Sequence, residues 1–98
     1  MTILVSKVGE SVSIQLPELF GFSSRGEFKQ ATSGHPMRTK YLLDFRLVKK
    51  MDSSALGMLL LLREISGGAS SDITLIHLQP DIRKLMHLAN FQTLFKIP

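Results

Sequence analysis

The chain opens with two short apolar-rich segments that are typical of strands, and in the second of them apolar and polar residues alternate, as expected for a strand with one buried face. The segments are Thr2 to Val8 and Ser11 to Leu16, and the turn residues Gly9-Glu10 separate them. In the second segment the apolar residues occupy every other position: Val12, Ile14 and Leu16. We predict a β-hairpin that ends at Pro17.

A cluster of aromatic residues follows the hairpin and leads into a predicted short helix. Ser24 and Glu27 have the spacing of a capping box, which predicts a helix that runs to about Ala31, although Gly26 weakens the signal. The cluster comprises Phe20, Phe22 and Phe28, at spacings typical of core residues. After a loop at 32–36, the almost continuous apolar run from Tyr41 to Phe45 is typical of a central strand.

The second half of the chain contains clear signals for helix starts and ends. Asp52-Ser53-Ser54 precedes a Leu-rich stretch and predicts a helix that runs to about Ser66, where Gly67-Gly68 ends it. Ile73 to Leu78 is a predicted strand, and Pro80-Asp81 begins a last helix. We expect the buried stripe of this last helix to be Ile82, Leu85, Met86 and Ala89. The tail from Phe91 to Pro98 is expected to add a short edge strand.

This order of elements predicts the α/β class. Strands that alternate with helices pair in parallel through right-handed crossovers, and the opening hairpin adds an antiparallel edge. We therefore expect a mixed sheet of four to five strands with about three helices. The 98 residues, 44% of them hydrophobic, suffice for a single domain over residues 1–98.

The amino-acid composition and charge of the chain exclude several classes of function. There is no Cys, which excludes disulfides and thiolate sites, and no apolar run approaches the ~18 residues of a membrane span. The first residues lack the pattern of a secretory signal, so we expect a cytoplasmic protein without membrane attachment. The net charge of +4 comes from scattered basic residues rather than a stripe, which argues against nucleic-acid binding.

The sequence offers little support for catalysis. His35, His77 and His87 have no acidic partner at ligand spacing, so we expect no metal and no cofactor. Asp44 and Asp52 could meet at the carboxyl edge of the sheet as the site of a small enzyme. We favour the simpler interpretation of a strand-end Asp and a helix-cap Asp, with no catalytic residues.

The Leu-rich helix has more apolar residues than one buried stripe needs. The predicted core stripe is Ala55, Met58, Leu59, Leu62 and Ile65. Leu56 and Leu60 fall outside it, beside Gly57 on the face that begins at Ser53. Either a neighbouring helix of the same domain or a partner protein covers this second face.

The run Met51-Asp52-Ser53-Ser54-Ala55-Leu56-Gly57 resembles the signature of the single-domain anti-sigma factor antagonists of the STAS superfamily, which is usually Asp-Ser-Ser/Thr-Gly-Leu-Gly. Tyr41 to Phe45 is similar to the strand before that signature, and Pro80 to Phe95 to the closing helix. Phe20 to Ser23, with Phe28, is similar to a Gram-negative subgroup. Ala55 replaces the more common Gly, and the chain stops at Pro98 without the further carboxyl-terminal helix of many relatives.

The resemblance implies a STAS-like fold and a partner switch. The unmodified protein would bind an anti-sigma factor that is also a serine kinase, be released by phosphorylation at Ser53, and be restored by a PP2C-type phosphatase. The partner-binding residues would be Asp52, Ser53, Ser54, Leu56, Gly57 and Leu60. The alternative is a STAS-type subunit that docks permanently on a transporter or signalling scaffold. The free protein would be a monomer or a weak dimer.

Overall fold

The computed structural model describes residues 3–98, in which short strands and helices alternate along the chain. The strands are β1 (Leu4–Val8), β2 (Ser11–Gln15), β3 (Leu19–Phe20), β4 (Lys40–Asp44), β5 (Lys50–Met51) and β6 (Asp72–Ile76). The α-helices are α1 (Arg25–Ala31), α2 (Ser53–Ile65) and α3 (Pro80–Leu88), and short 3-10 turns lie at Phe22–Ser24, Gly68–Ser70 and Phe91–Thr93. The predicted α/β class is confirmed. Thr2, the first residue of the predicted hairpin, lies outside the described residues.

The predicted hairpin is confirmed and forms one edge of the main sheet. β1 pairs antiparallel with β2, and Gly9 in the connecting turn has φ of 60°. A two-residue hairpin loop needs this left-handed conformation, which glycine adopts at no steric cost. All residues of β1 are exposed, whereas β2 alternates between buried and half-buried positions. Only the second strand of the hairpin therefore contributes to the core.

The main sheet has the order β1-β2-β4-β6, and its last three strands are parallel. The register aligns buried residues of these strands in two rows: Val12, Tyr41 and Ile73, then Ile14, Leu43 and Leu75. Side chains on a strand alternate between the two faces, so both rows lie on one face of the sheet. This face of the sheet forms one side of the hydrophobic core, to which α2 and α3 also contribute buried residues.

A second, two-stranded sheet was not predicted. β3 and β5 pair in parallel, and the backbone N–H groups of Lys49 and Lys50 donate to the carbonyl oxygen of Glu18. Each strand has two residues, too few for a period of two to be visible in the sequence. This small sheet brings the segment before α1 beside the segment that precedes α2.

The predicted helix boundaries in the second half of the chain agree with the structure. α2 ends at Ile65, and Gly67 and Gly68 follow with φ of 122° and 58°. α3 begins with Pro80 in its first turn, as expected. The expected edge strand of the tail is reduced to one parallel bridge between Thr74 and Lys96, because the preceding 3-10 turn places Phe91 and Phe95 in the core. Among the helices of residues 3–98, none is long and apolar enough to span a bilayer.

The expectations about five individual side chains are wrong. The Ser24 hydroxyl does not cap α1, because it is buried and turns back to Gly21. Phe22 is not a core residue, since its ring is 60% exposed. Leu85 and Ala89 are both exposed and do not belong to the buried stripe of α3, and Ala89 lies beyond the end of the helix at Leu88. Ile65, the last residue of α2, is 54% exposed.

Candidate functional site

The candidate site is the amino-terminal end of α2, where Asp52 joins two distant segments. Its backbone is extended, and its Oδ1 accepts a hydrogen bond of 3.1 Å from the backbone N–H of Ala55, the geometry of a helix N-cap. Its Oδ2 accepts a second hydrogen bond of 3.1 Å from the backbone N–H of Phe22. One carboxylate therefore caps α2 and holds the turn that precedes α1.

Gly21 makes this double contact possible. A Cβ atom at this position would overlap the carboxylate of Asp52. The φ of Gly21 is −178°, an extended conformation open to any residue, so space rather than backbone geometry demands glycine here. The Ser24 hydroxyl fixes the same turn, because it accepts from the Gly21 N–H and donates to the Gly21 carbonyl oxygen.

The surroundings of Asp52 favour its ionised form. The hydrogen bond from the Phe22 N–H is the largest influence and lowers the pKa of the Asp52 carboxyl below its ordinary value. The N–H of Ala55 acts in the same direction, because both donors stabilise the negative charge. A carboxylate with a lowered pKa carries its full charge at neutral pH, so the amino-terminal end of α2 holds a fixed negative charge.

Ser53 is the first residue of α2, directly beside that charge. Its side chain is exposed, and within residues 3–98 its hydroxyl has no hydrogen-bond partner. Ser54 is half-buried. Of the two neighbouring hydroxyls, the one at Ser53 is therefore the more accessible to an enzyme.

The exposed surface beside Ser53 is small and apolar. We call it the switch face and define it by Ser53, Leu56, Gly57 and Leu60. Leu60 is 40% exposed, and a Cβ added at Gly57 would meet only open space. Leu56 is half-buried and packs against the core, so it contributes only part of its side chain. Of the two leucines that the sequence placed on a second apolar surface, Leu60 is thus exposed and Leu56 is partly covered by the core.

The structure places Asp44 in a different hydrogen-bond network from Asp52. Asp44 Oδ1 lies 3.0 Å from His77 Nδ1 and accepts from the backbone N–H of Arg46 at 2.9 Å. The expectation that His77 lacks an acidic partner is therefore wrong, because β4 and β6 are parallel neighbours and end at the same edge. In the part of the chain that the structure describes, no group of three or more metal-ligating side chains is assembled.

Sequence reasoning missed Gly21, Phe22 and the cavity next to them. A cavity of about 280 Å³ lies against Asp52 and the paired strands β3 and β5. Beside it, the Arg25 guanidinium carbon lies 4.1 Å from the centre of the exposed Phe22 ring. Phe22 and Asp52 are 30 positions apart, and no local pattern connects residues at that separation.

Comparisons with known proteins identify the family of this chain. Residues 3–96 match the family model described as the MlaB STAS domain. The chain belongs to the STAS domain family. It is 39% identical, over 99% of its length and 97% of the relative's, to a STAS-domain-containing protein of Pseudomonas aeruginosa strain UCBPP-PA14. The resemblance seen in the sequence is therefore confirmed at the level of the family.

Solved structures show the same STAS fold. A Thermotoga maritima protein described as an anti-sigma factor antagonist superposes with a TM-score of 0.80 at 17% identity, over 97% of this chain and 84% of that chain. The phosphorylated form of SpoIIAA, a Bacillus cell fate determinant, superposes with a TM-score of 0.69 at 18% identity, over 99% of this chain and 91% of that chain. The predicted STAS-like mixed sheet is confirmed by these structures.

Proposed function

We propose that this STAS domain is an anti-sigma factor antagonist whose binding is controlled by phosphorylation at Ser53. The observation that carries the proposal is the exposed Ser53 hydroxyl at the start of α2, between the ionised Asp52 and the uncovered Leu60. A structural relative with the same fold is described in a phosphorylated form. The partners would be an anti-sigma factor with serine kinase activity and a PP2C-type phosphatase, both in the cytoplasm.

The domain itself should tolerate the modification. A phosphate adds about −1.5 to −2 charge at pH 7. At the amino-terminal end of α2 this charge faces the positive end of the helix dipole, although Asp52 already accepts from the N–H of Ala55. The nearby Asp52 opposes part of this gain by like-charge repulsion. We expect the net effect on the free energy of unfolding to stay within about 1 kcal/mol.

A complex should respond much more strongly than the fold. With a partner seated on the switch face, the phosphate would lie beside Asp52 and against the apolar contact at Leu60. Leaving such a charge buried without a partner typically costs a complex about 2 to 5 kcal/mol, which is about thirtyfold to several thousandfold in affinity. Phosphorylation can therefore release the partner without unfolding the domain.

The experiment is reaction with candidate serine kinases and ATP, followed by intact mass measurement and phosphopeptide mapping. We expect one phosphate, at Ser53. Ser53→Ala should remain unmodified and keep the partner bound, and Ser53→Asp should bind weakly yet melt close to the parent. Ser54→Ala is the matched control and should still be phosphorylated and released. Modification of Ser54 alone would contradict the assignment.

The alternative function, a STAS-type subunit that docks permanently on a transporter or scaffold, predicts a different outcome. In that case the parent, Ser53→Ala and Ser53→Asp would bind the partner with equal affinity, and no kinase would modify the chain. Titration of the three proteins against one partner separates the two functions. Sedimentation of the free protein at micromolar concentration tests the associated proposal that it is a monomer or a weak dimer.

A further inference from the structure

A second apolar surface lies between α1 and α2, away from the switch face. It is a groove of about 390 Å³, with Arg25, Lys29, Thr32 and Ser33 among its lining residues. Its apolar lining residues are Phe28, Met58, Leu61, Leu62 and Ile65. Leu61 is 62% exposed and Ile65 is more than half exposed, so the groove is open to solvent along the side of α2. We call this surface the α1/α2 groove.

The α1/α2 groove lies on a different side of α2 from Leu56 and Leu60 of the switch face. With about 100° between successive residues, Leu61 and Ile65 lie roughly a third of the circumference away from Leu60. The core side of α2, marked by Ala55, Leu59 and Leu62, occupies another part of the circumference. Gly57 is one turn before Leu61, so the two surfaces adjoin there, and a partner that contacts Leu56 and Leu60 would still leave Ile65 accessible.

The charges at the groove are all of one sign. Arg25 and Lys29 are one helical turn apart on α1, and no carboxylate lines the groove. Glu27 lies on another side of α1, where it lines a separate cavity beside Ile3 and Val5. Among residues 3–98, the side chains of Arg25 and Lys29 form no ion pair. The apolar surface of the groove is thus bordered by two cationic side chains, Arg25 and Lys29, that have no counter-charge.

We propose that the α1/α2 groove binds an acidic amphipathic helix of a partner protein. Apolar side chains spaced at i, i+3, i+4 and i+7 would pack on Leu61 and Ile65, a recognition mode that proteins use repeatedly. Acidic side chains on the flank of that helix would pair with Arg25 and Lys29. The Phe22 ring under the Arg25 guanidinium helps to hold that cation in place for such a pair.

The same observations disfavour two other occupants. A second copy of this chain related by two-fold symmetry would bring Arg25 and Lys29 of both copies close together, where like charges repel. A fatty acyl chain would remain exposed to water along the open side of the groove. The surface is independent of the proposed function, because it does not include Ser53.

The test is an affinity selection on the whole 98-residue protein with displayed helical peptides of about 16 residues. Leu is kept on one face of each peptide, and the flanking positions vary among Glu, Gln and Lys. We expect peptides rich in Glu to be enriched. A selected peptide should bind Ile65→Glu at least about tenfold more weakly than the parent. Because Ile65 is largely exposed, that variant should melt near the parent, and Leu61→Gln provides a second test at the same groove.

Reversing the charges of Arg25 and Lys29 tests their role in peptide binding. The double variant Arg25→Glu with Lys29→Glu should select peptides rich in Lys. The control is Lys7→Glu with Lys84→Glu, which changes the net charge equally at exposed positions outside the groove and should still select Glu. Ser53→Asp should bind the selected peptide as the parent does, so the groove can be tested even if the proposed function fails.

Several outcomes would overturn the proposal. They are the absence of enriched peptides, equal enrichment on Ile65→Glu, and a loss of peptide binding in Leu60→Asp but not in Ile65→Glu. Self-association at micromolar concentration that Ile65→Glu abolishes would assign the groove to a second copy. Binding of dodecanoate that Ile65→Glu abolishes, with no peptide enriched, would assign it to an acyl chain.

Discussion

Leu59 and Leu60 are neighbours in α2 with opposite environments. Leu59 is fully buried among core residues from the sheet and the helices, whereas Leu60 is 40% exposed beside Gly57 and Ser53. One side of the helix therefore holds the domain together, and the adjacent side is exposed. If the proposed binding uses the exposed side, stability and binding should be separable by substitutions only one position apart.

The largest effect on stability is expected from Leu59→Asp. The substitution places a carboxylate with no partner in the hydrophobic core, which should lower the free energy of unfolding by several kcal/mol, about 3 or more, or prevent folding. Denaturant melting measures the change. A variant that melts like the parent would show that Leu59 is outside the core.

Gly21→Ala should have the next largest effect, because its Cβ would overlap the Asp52 carboxylate. Either the carboxylate or the Phe22 turn must move, and overpacking of this kind typically costs about 1 to 3 kcal/mol. We also expect weaker binding at the switch face, since the end of α2 is displaced. Gly26→Ala is the matched control, because a Cβ there meets open space. Equal melting of Gly21→Ala and the parent would mean that the contact with Asp52 is dispensable.

Leu60→Asp should lower stability by no more than about 1 kcal/mol, because the side chain is partly exposed. In a titration against the partner it should nevertheless abolish binding, because it places a charge on the proposed apolar contact. Comparison with Leu59→Asp under identical conditions makes the contrast direct. If both variants were equally destabilised, Leu60 would belong to the core, and the proposed interface would have to be restricted to Ser53 and its flanking loops.

The smallest effect on stability is expected from Asp52→Asn, because Asn is as good an N-cap as Asp, although its single amide oxygen cannot accept from both Ala55 and Phe22. The difference should be present at neutral pH and vanish in acid. The pKa of Asp52 is lowered by folding from an ordinary value of 3.8, so its ionisation stabilises the fold above that pH. This contribution is lost as the pH falls below 3.8 and through the folded pKa. Melting of both proteins from pH 7 to pH 2 should show the advantage of the parent disappear, whereas parallel curves would contradict the assignment.

Much of the fold could be predicted because its signals are local. The alternation in β2, the acceptor cluster before α2 and the glycines after it all act within a few residues, and each element forms where these signals place it. The family resemblance was carried by the consecutive residues 51–57, which lie at the start of α2. Ser53 as the modified residue and the partner-binding set remain predictions.

The environments of some individual side chains could not be predicted. Ser24 and Glu27 have the spacing of a capping box, but packing against Gly21 directs the Ser24 hydroxyl elsewhere. Ile65 continues the periodicity of α2, yet the helix ends there and leaves the side chain in solvent. In both cases the surrounding structure, rather than the local sequence pattern, decided the environment of the side chain.

The sequence by itself determined the order of the main elements, the alternating buried positions of β2 and the cap of α2, because periodicity and capping depend on neighbouring residues. Only the tertiary structure decided that Asp52 also holds the Phe22 turn, that Gly21 must remain small, and that the α1/α2 groove is open. These features depend on segments that are far apart in the chain and adjacent in space. Their positions follow from the packing of the whole core, which no local pattern encodes.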